Sequence, residues 1–141
     1  MKRTKWMLMM TLMLLSGLAV AQLQGDAKIV AQVPFEFMVA NRFVPAGRCE
    51  IRSFAKNGGA QTIRLDGTRV ALFARASLTE TKKAADNYAL VFKRYGNQYF
   101  LSGIKLAGSH VTYRLPESKA EAELRAQNLP GGEEVLLASL K

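Results

Sequence analysis

One cysteine and one histidine are the residues with which this chain could carry out nucleophilic or acid–base chemistry. The 141 residues contain a single Cys, Cys49, and a single His, His110. One Cys excludes an intramolecular disulfide and a cysteine-based zinc site, and one His excludes His-pair metal motifs. No metal site is therefore predicted, and no sequence pattern indicates a cofactor.

Cys49 lies in residues 48–52, where apolar and charged residues alternate, and it shares a face with Ile51. Free Cys is among the most buried residue types, so a small buried core residue is the favoured interpretation. The alternative is an exposed, reactive thiol. In an oxidising compartment such a thiol would form an intermolecular disulfide and link two chains into a dimer.

His110 needs a nucleophile and an orienting acid to act as a general base. Ser109 beside it belongs to no G-x-S-x-G pattern, so a surface His at a strand end is favoured. Glu121 and Glu123 are two residues apart on a predicted helix and point in different directions, which disfavours a glycosidase pair. No catalytic residue is predicted.

A run of basic and aromatic residues around one predicted hairpin is the best candidate binding surface. Its members are Lys93, Arg94, Tyr95 and Tyr99. On a β-sheet such residues can form a stacking platform for a nucleic acid or a sugar chain. The alternation of the strand favours the other interpretation, in which part of the aromatic set packs into the core.

The first 21 residues have the layout of a secretory signal peptide: a basic start, an apolar stretch and the small–x–small pattern Ala19-Val20-Ala21. The apolar stretch of about 16 residues is shorter than the roughly 20 that a spanning helix needs, which disfavours an uncleaved anchor. We therefore expect an exported protein, periplasmic or extracellular. Residues 22–27 are then a short polar segment, and residues 28–141 form one β-rich domain.

The charge balance depends on this signal. The chain has 20 Lys and Arg against 11 Asp and Glu, a net charge of +9. Cleavage after Ala21 removes three basic residues and no acid, leaving 17 against 11, or +6. Export disfavours nucleic acid, so the expected partners are anionic envelope polymers, bound in a salt-sensitive way, or another exported protein. We expect a soluble monomer, or a dimer if Cys49 is exposed.

Short alternating segments separated by turn signals about every 8–12 residues predict about eight strands. Asp66-Gly67 predicts a type I′ hairpin, and Gly96-Asn97 predicts a type II′ hairpin. Ser118 and Glu121 form a capping box at the start of a helix that extends to about Gln127. The absence of helices between strands disfavours a parallel α/β sheet. The predicted fold is mainly β: a small antiparallel β-sandwich or β-barrel with one short helix near the C-terminus.

Three segments carry a resemblance: VPFEFMV with VPAG (residues 33–39 and 44–47), FKRYGNQYFLS (residues 92–102) and LPESKAE (residues 115–121). In this order they resemble a group of small exported proteins of Acidobacteria with a signal peptide and one β-rich domain. The resemblance spans the chain from about Val33 to its C-terminus and implies export and architecture, but no activity. In that group an aromatic residue is frequent at the position of Cys49, and a His is frequent at the position of Lys93. A ligand role of that His therefore does not carry over to this chain.

Two functions of different classes remain. A non-catalytic binding or cell-envelope-associated domain is favoured, because no catalytic pattern is present and the mature chain is basic. The alternative is a small extracytoplasmic hydrolase with an irregular active site, for which Cys49, Asp66, Asp86 and His110 are scattered candidates. Fold class by itself assigns neither function.

Overall fold

The computed structural model describes residues 28–57 and 60–141. The predicted signal peptide, residues 1–21, and the predicted polar segment, residues 22–27, lie outside these ranges. None of the helical structure in the described ranges is long and apolar enough to cross a membrane.

The described residues form eleven strands and one helix. Their bounds are β1 Lys28–Val33, β2 Phe37–Val39, β3 Arg42–Val44, β4 Gly47–Asn57, β5 Ala60–Gly67, β6 Val70–Glu80, β7 Ala89–Tyr95, β8 Gln98–Lys105, β9 Val111–Arg114, α1 Lys119–Ala126, β10 Gly131–Leu137 and β11 Ser139–Leu140. The prediction of a mainly β fold with one short helix near the C-terminus is confirmed. The predicted count of about eight strands is wrong, because the three-residue β3 was not recognised and Ala138 divides the last strand.

These strands form one open, mixed sheet in the order β10-β7-β8-β9-β6-β5-β4-β1-β11. The strand pairs along this order are antiparallel. β2 and β3 lie off this order: β2 pairs with β3 in an antiparallel way and with β8 in a short parallel pairing. Only Ala138 separates β10 from β11 in the chain, so the two ends of the sheet lie near each other and the sheet is strongly curled. Since β10 and β11 form no ladder with each other, the predicted alternative of a closed β-barrel is wrong.

Curling turns one face of the sheet inward. In β6, Leu72, Ala74 and Ala76 are buried while Phe73 and Arg75 between them are exposed, as the two-residue period of a strand requires. We call β1, β4, β5 and β6 the first arm and β7 to β10 the second arm. Buried side chains of both arms form one core.

Aromatic side chains fill one end of this core. The aromatic cluster consists of Phe35, Phe37, Phe92 and Tyr99. The rings of Phe35 and Phe37 meet Phe92 edge-on at centroid distances of 5.0 and 5.1 Å, and Phe35 stacks on Tyr99 at 3.8 Å. Edge-to-face and stacked pairs are favourable beyond the area that they bury.

The predicted type I′ turn at Asp66-Gly67 is wrong. β5 continues through Gly67, and the turn follows at Thr68-Arg69, with φ of +63° at Arg69. A Cβ on Gly67 would lie 2.6 Å from Cγ1 of Val44. Glycine is therefore placed here for close packing against β3, not for turn formation.

The hairpin at Gly96-Asn97 is confirmed. Tyr95 pairs with Gln98 across the two-residue connection, and Gly96 has φ of +60°, the sign that a type II′ turn needs at its first position. The helix start is also confirmed, because the Ser118 hydroxyl accepts a hydrogen bond from the Glu121 backbone N–H at 3.1 Å.

Candidate functional site

An apolar pocket of about 570 Å³ lies between the two arms, at the end of the core away from the aromatic cluster. Four buried isoleucines form its floor: Ile29, Ile51, Ile63 and Ile104. Pockets for small molecules commonly measure about 300–1,000 Å³ and are mostly apolar. Both the size and the lining of this pocket fall within that description.

Sheet register brings the floor together. Ile29 of β1 is paired directly with Ile51 of β4, and Ile63 points inward from the neighbouring β5. From the second arm, Ile104 of β8 is paired with Tyr113 of β9. Side chains on adjacent strands at paired positions are about 5 Å apart, so these residues form one continuous apolar surface.

The rim of the pocket is more polar than its floor. It includes Tyr88, Tyr113 and the loop of residues 106–110 between β8 and β9. Backbone hydrogen bonds tie this loop to residues 81–85: the Gly108 N–H donates to the Ala85 carbonyl at 2.8 Å, and the Thr81 N–H donates to the His110 carbonyl at 2.7 Å. The loop is therefore a fixed wall rather than a free flap.

His110 is exposed on this rim, and its Nδ1 lies 3.2 Å from the carbonyl oxygen of Thr81. Ser109 uses its hydroxyl oxygen to accept a hydrogen bond from the Val111 N–H at 3.0 Å. Burial raises the pKa of the Tyr113 phenol, so this hydroxyl stays neutral at ordinary pH. The rim can thus offer hydrogen-bonding groups to the polar end of a ligand.

The structure does not bring the four hydrolase candidates together. Asp66 is ion-paired with Arg64 at 3.1 Å on the outer face of the sheet, and Asp86 pairs with Lys83 at 3.7 Å. Of the four candidates, only His110 is among the pocket residues. Within residues 28–57 and 60–141, no group of three or more His, Cys, Asp or Glu could hold a metal ion.

Cys49 lies in the core with 1% of its surface exposed. Burial raises its thiol pKa to about 12, helped by the negative charges of Asp66 and Glu50. A neutral, buried thiol reacts slowly, since the thiolate is the nucleophile. The intermolecular disulfide stays a prediction, and it would require β4 to open.

The predicted binding surface is divided between two faces of the β7–β8 hairpin. Arg94 pairs with Tyr99, and Tyr99 stacks on Phe35 in the aromatic cluster. On the opposite face, the Tyr95 hydroxyl hydrogen bonds with Glu121 Oε1 at 3.2 Å, and Lys93 Nζ lies 3.9 Å from the same atom. The four residues therefore do not share one stacking platform.

Sequence reasoning missed the pocket because its floor residues are far apart in the chain. Ile29, Ile51, Ile63 and Ile104 each read as an ordinary apolar position of a separate strand. Only the register of four strands aligns them, and no local spacing encodes that register. The sequence predicts His110 as a surface residue at a strand end, and no pattern marks it or Tyr113 as a rim residue.

Comparison of the chain with protein-family models, with curated proteins and with solved structures finds no match.

Proposed function

We propose that the protein is an exported, non-catalytic binding domain that takes an apolar group of a small molecule into the pocket between its arms. The observation that carries this proposal is the pocket itself, an open volume of about 570 Å³ floored by four isoleucines. Export is proposed from the signal pattern of residues 1–21 and from the resemblance to small exported proteins.

The energetics support a ligand with an apolar body. An apolar wall without neighbours loses dispersion contacts, and a ligand that fills the space restores them. Each Å² of apolar surface removed from water contributes roughly 25 cal/mol. Tyr88, Tyr113 and His110 line the pocket together with the isoleucines. We therefore propose an amphiphile whose chain or ring system enters the pocket and whose polar end stays at the rim.

Two observations support binding over the hydrolase alternative. The hydrogen bond from His110 goes to a backbone carbonyl, whereas an acid–base His is normally oriented by a carboxylate. The pocket lining contains no Asp, Glu or Cys from the part of the chain that the structure describes. A hydrolytic function would need groups that are not assembled here.

A second candidate function, association with anionic envelope polymers, remains a proposal. It is supported by the excess of basic residues in residues 22–141 and by the cations Lys28, Arg52 and Arg64 on the outer face of the first arm. The two functions use opposite faces of the same strands, so they are compatible.

The pocket proposal is tested by titrating the purified protein, expressed from its full-length gene, with N-phenyl-1-naphthylamine, a neutral fluorescent probe of apolar sites. Ala107 is a pocket residue, so Ala107→Trp should fill the space and weaken binding by about tenfold or more. The matched control is Ala126→Trp, at an exposed position of α1, and it should bind within about twofold of the wild type.

Fatty acids, isoprenoid alcohols and fused-ring compounds are then tested as competitors of the probe. Thermal unfolding of both variants establishes that they are folded. Absence of saturable probe binding by the wild type, or equal binding by Ala107→Trp, would contradict the proposal. His110→Ala should change the affinity by no more than about twofold, because it removes one exposed side chain at the rim.

A further inference from the structure

The outer face of the first arm carries a row of cations that are direct cross-strand neighbours. Lys28 is paired with Arg52, Arg52 with Arg64, and Arg64 with Phe73. These four residues, which we call the basic row, cross β1, β4, β5 and β6. Neighbouring strands are about 4.8 Å apart, so the row presents a positive group at three successive positions and an aromatic ring at the fourth.

Two carboxylates beside the row hold the cations in place. Glu50 lies 3.2 Å from Lys28 Nζ and 3.8 Å from Arg52, and Asp66 lies 3.1 Å from Arg64. The hydrogen bonds from Arg48 and Lys28 lower the pKa of Glu50, so this carboxylate stays ionised. Glu50 is 21% exposed, whereas the Arg52 and Arg64 side chains are 39% and 43% exposed. The Arg52 and Arg64 side chains are therefore more exposed than those of Glu50 and of Asp66, which is 31% exposed.

This arrangement leaves an excess of positive charge toward solvent. Glu50 serves three cations, namely Lys28, Arg48 and Arg52, and cannot use all their hydrogen-bond donors. Side chains already held by an ion pair lose less conformational freedom when a ligand binds. The row is therefore a preorganised set of donors for an anionic ligand.

Arginine and the aromatic ring indicate the chemistry of that ligand. The planar guanidinium matches a carboxylate or a phosphate with two parallel hydrogen bonds, which a lysine cannot do. Phe73 is 56% exposed and lies beside Arg64, whose Cζ is 6.0 Å from the ring centroid. An exposed ring of this kind can pack against the apolar face of a sugar. The step between strands is similar to the repeat of one sugar ring along an extended polysaccharide.

We propose that the basic row binds a linear, carboxylate-bearing polysaccharide laid across β1, β4, β5 and β6, with its acidic groups on Arg52 and Arg64 and one sugar ring on Phe73. This inference rests on the proposed association with anionic envelope polymers and names its surface and its chemistry. It is independent of the apolar pocket, which opens on the other face of the sheet. A lipid surface fits less well, because membrane-bound faces combine basic residues with several inserted apolar side chains.

The experiment measures binding of oligogalacturonate to the full-length protein by calorimetry at low salt, with neutral cello-oligosaccharide, polyphosphate and phosphatidylglycerol vesicles as parallel arms. Arg52→Gln with Arg64→Gln should weaken oligogalacturonate binding by about tenfold or more, because two charge-assisted contacts are lost. The control Lys119→Gln with Arg125→Gln changes the net charge equally at exposed positions of α1 and should stay within about twofold.

Two further variants make the result specific. Arg52→Lys with Arg64→Lys keeps the charge and the fold but loses the planar fork, and it should bind with intermediate affinity. Phe73→Ala should weaken oligogalacturonate binding and leave polyphosphate binding unchanged.

If the wild type binds oligogalacturonate and the Gln pair binds as well as its control, the basic row is not the site, although the envelope association stands. If no anionic polymer binds at low salt, both the association and the row are wrong. Binding of polyphosphate or vesicles that exceeds that of oligogalacturonate and depends on Arg52 and Arg64 would overturn the sugar assignment. Binding of N-phenyl-1-naphthylamine in the pocket is measured on the same protein samples. A failure of the pocket proposal is thereby distinguished from a failure of the basic row.

Discussion

The two ends of the core are packed in opposite ways. At one end, the aromatic cluster fills the space between the arms, with Phe37 and Phe92 almost completely buried. At the other end, four isoleucines line the space between the arms, and a pocket of about 570 Å³ remains. β8 contributes to both ends, with Tyr99 in the aromatic cluster and Ile104 at the pocket floor. The volume of the inward side chains decides which end is open.

The outer layer follows the same division. Helix α1 covers the β7–β8 hairpin beside the filled end, where Tyr95 and Lys93 contact Glu121. The filled end is therefore packed on both sides of the sheet. The contrast suggests that stability is concentrated there and that the open end is left free for a ligand.

The largest expected effect comes from emptying the filled end. Phe92→Ala removes a fully buried ring that meets both Phe35 and Phe37, so the free energy of unfolding should fall by about 3–5 kcal/mol. Ile51→Ala at the pocket floor should cost about 2 kcal/mol, at the low end for such changes, because the space that it vacates joins the pocket that Ile51 lines. Urea unfolding measures both. Equal losses would mean that the two ends are packed alike.

Adding a side chain where two strands pack closely should also lower the stability of the fold, but by less than Phe92→Ala does. A Cβ on Gly131 would collide with the backbone carbonyl oxygen of Arg94, whereas a Cβ on Gly132 would have no atom within 4 Å. Gly131→Ala should therefore cost about 1–3 kcal/mol by forcing β10 away from β7. Gly132→Ala should be neutral or slightly stabilising, since it restricts the unfolded chain.

Thermal unfolding of the two alanine variants gives the comparison directly, because they differ by one position in the same strand. Gly131→Ala should lower the melting temperature although it adds only one methyl group, whereas Ala107→Trp should stay folded although it adds an indole in the pocket. A stable Gly131→Ala protein, or an unfolded Ala107→Trp protein, would remove the contrast between the ends.

Local patterns in the sequence predict the parts of this fold that are encoded locally. The alternation of β6, the Gly96-Asn97 hairpin and the Ser118 cap each depend on residues that are close in the chain. Gly67 misled the prediction because its function, close approach to Val44, involves a strand that is distant in sequence. The pocket and the basic row have the same origin in strand register, so neither could be predicted from spacing.

The smallest expected effect concerns the buried acid at the filled end. Glu121 is 3% exposed, and burial raises the pKa of its carboxyl above the ordinary 4.5, although Lys93 and Tyr95 partly oppose this. A raised pKa means that the folded protein holds the proton more tightly than the unfolded chain. The contribution of Glu121 to stability is therefore complete below pH 4.5 and is lost as the pH rises through the folded pKa.

Glu121→Gln keeps the shape of the side chain and removes this titration. The melting temperature of the variant should rise relative to that of the wild type as the pH increases from about 4 to 7. Glu50, whose pKa is lowered, titrates in both proteins and cancels from the difference. A constant difference across this range would show that Glu121 is ionised as easily in the folded protein as in the unfolded chain. In that case α1 would cover the filled end less tightly than its contacts with Lys93 and Tyr95 indicate.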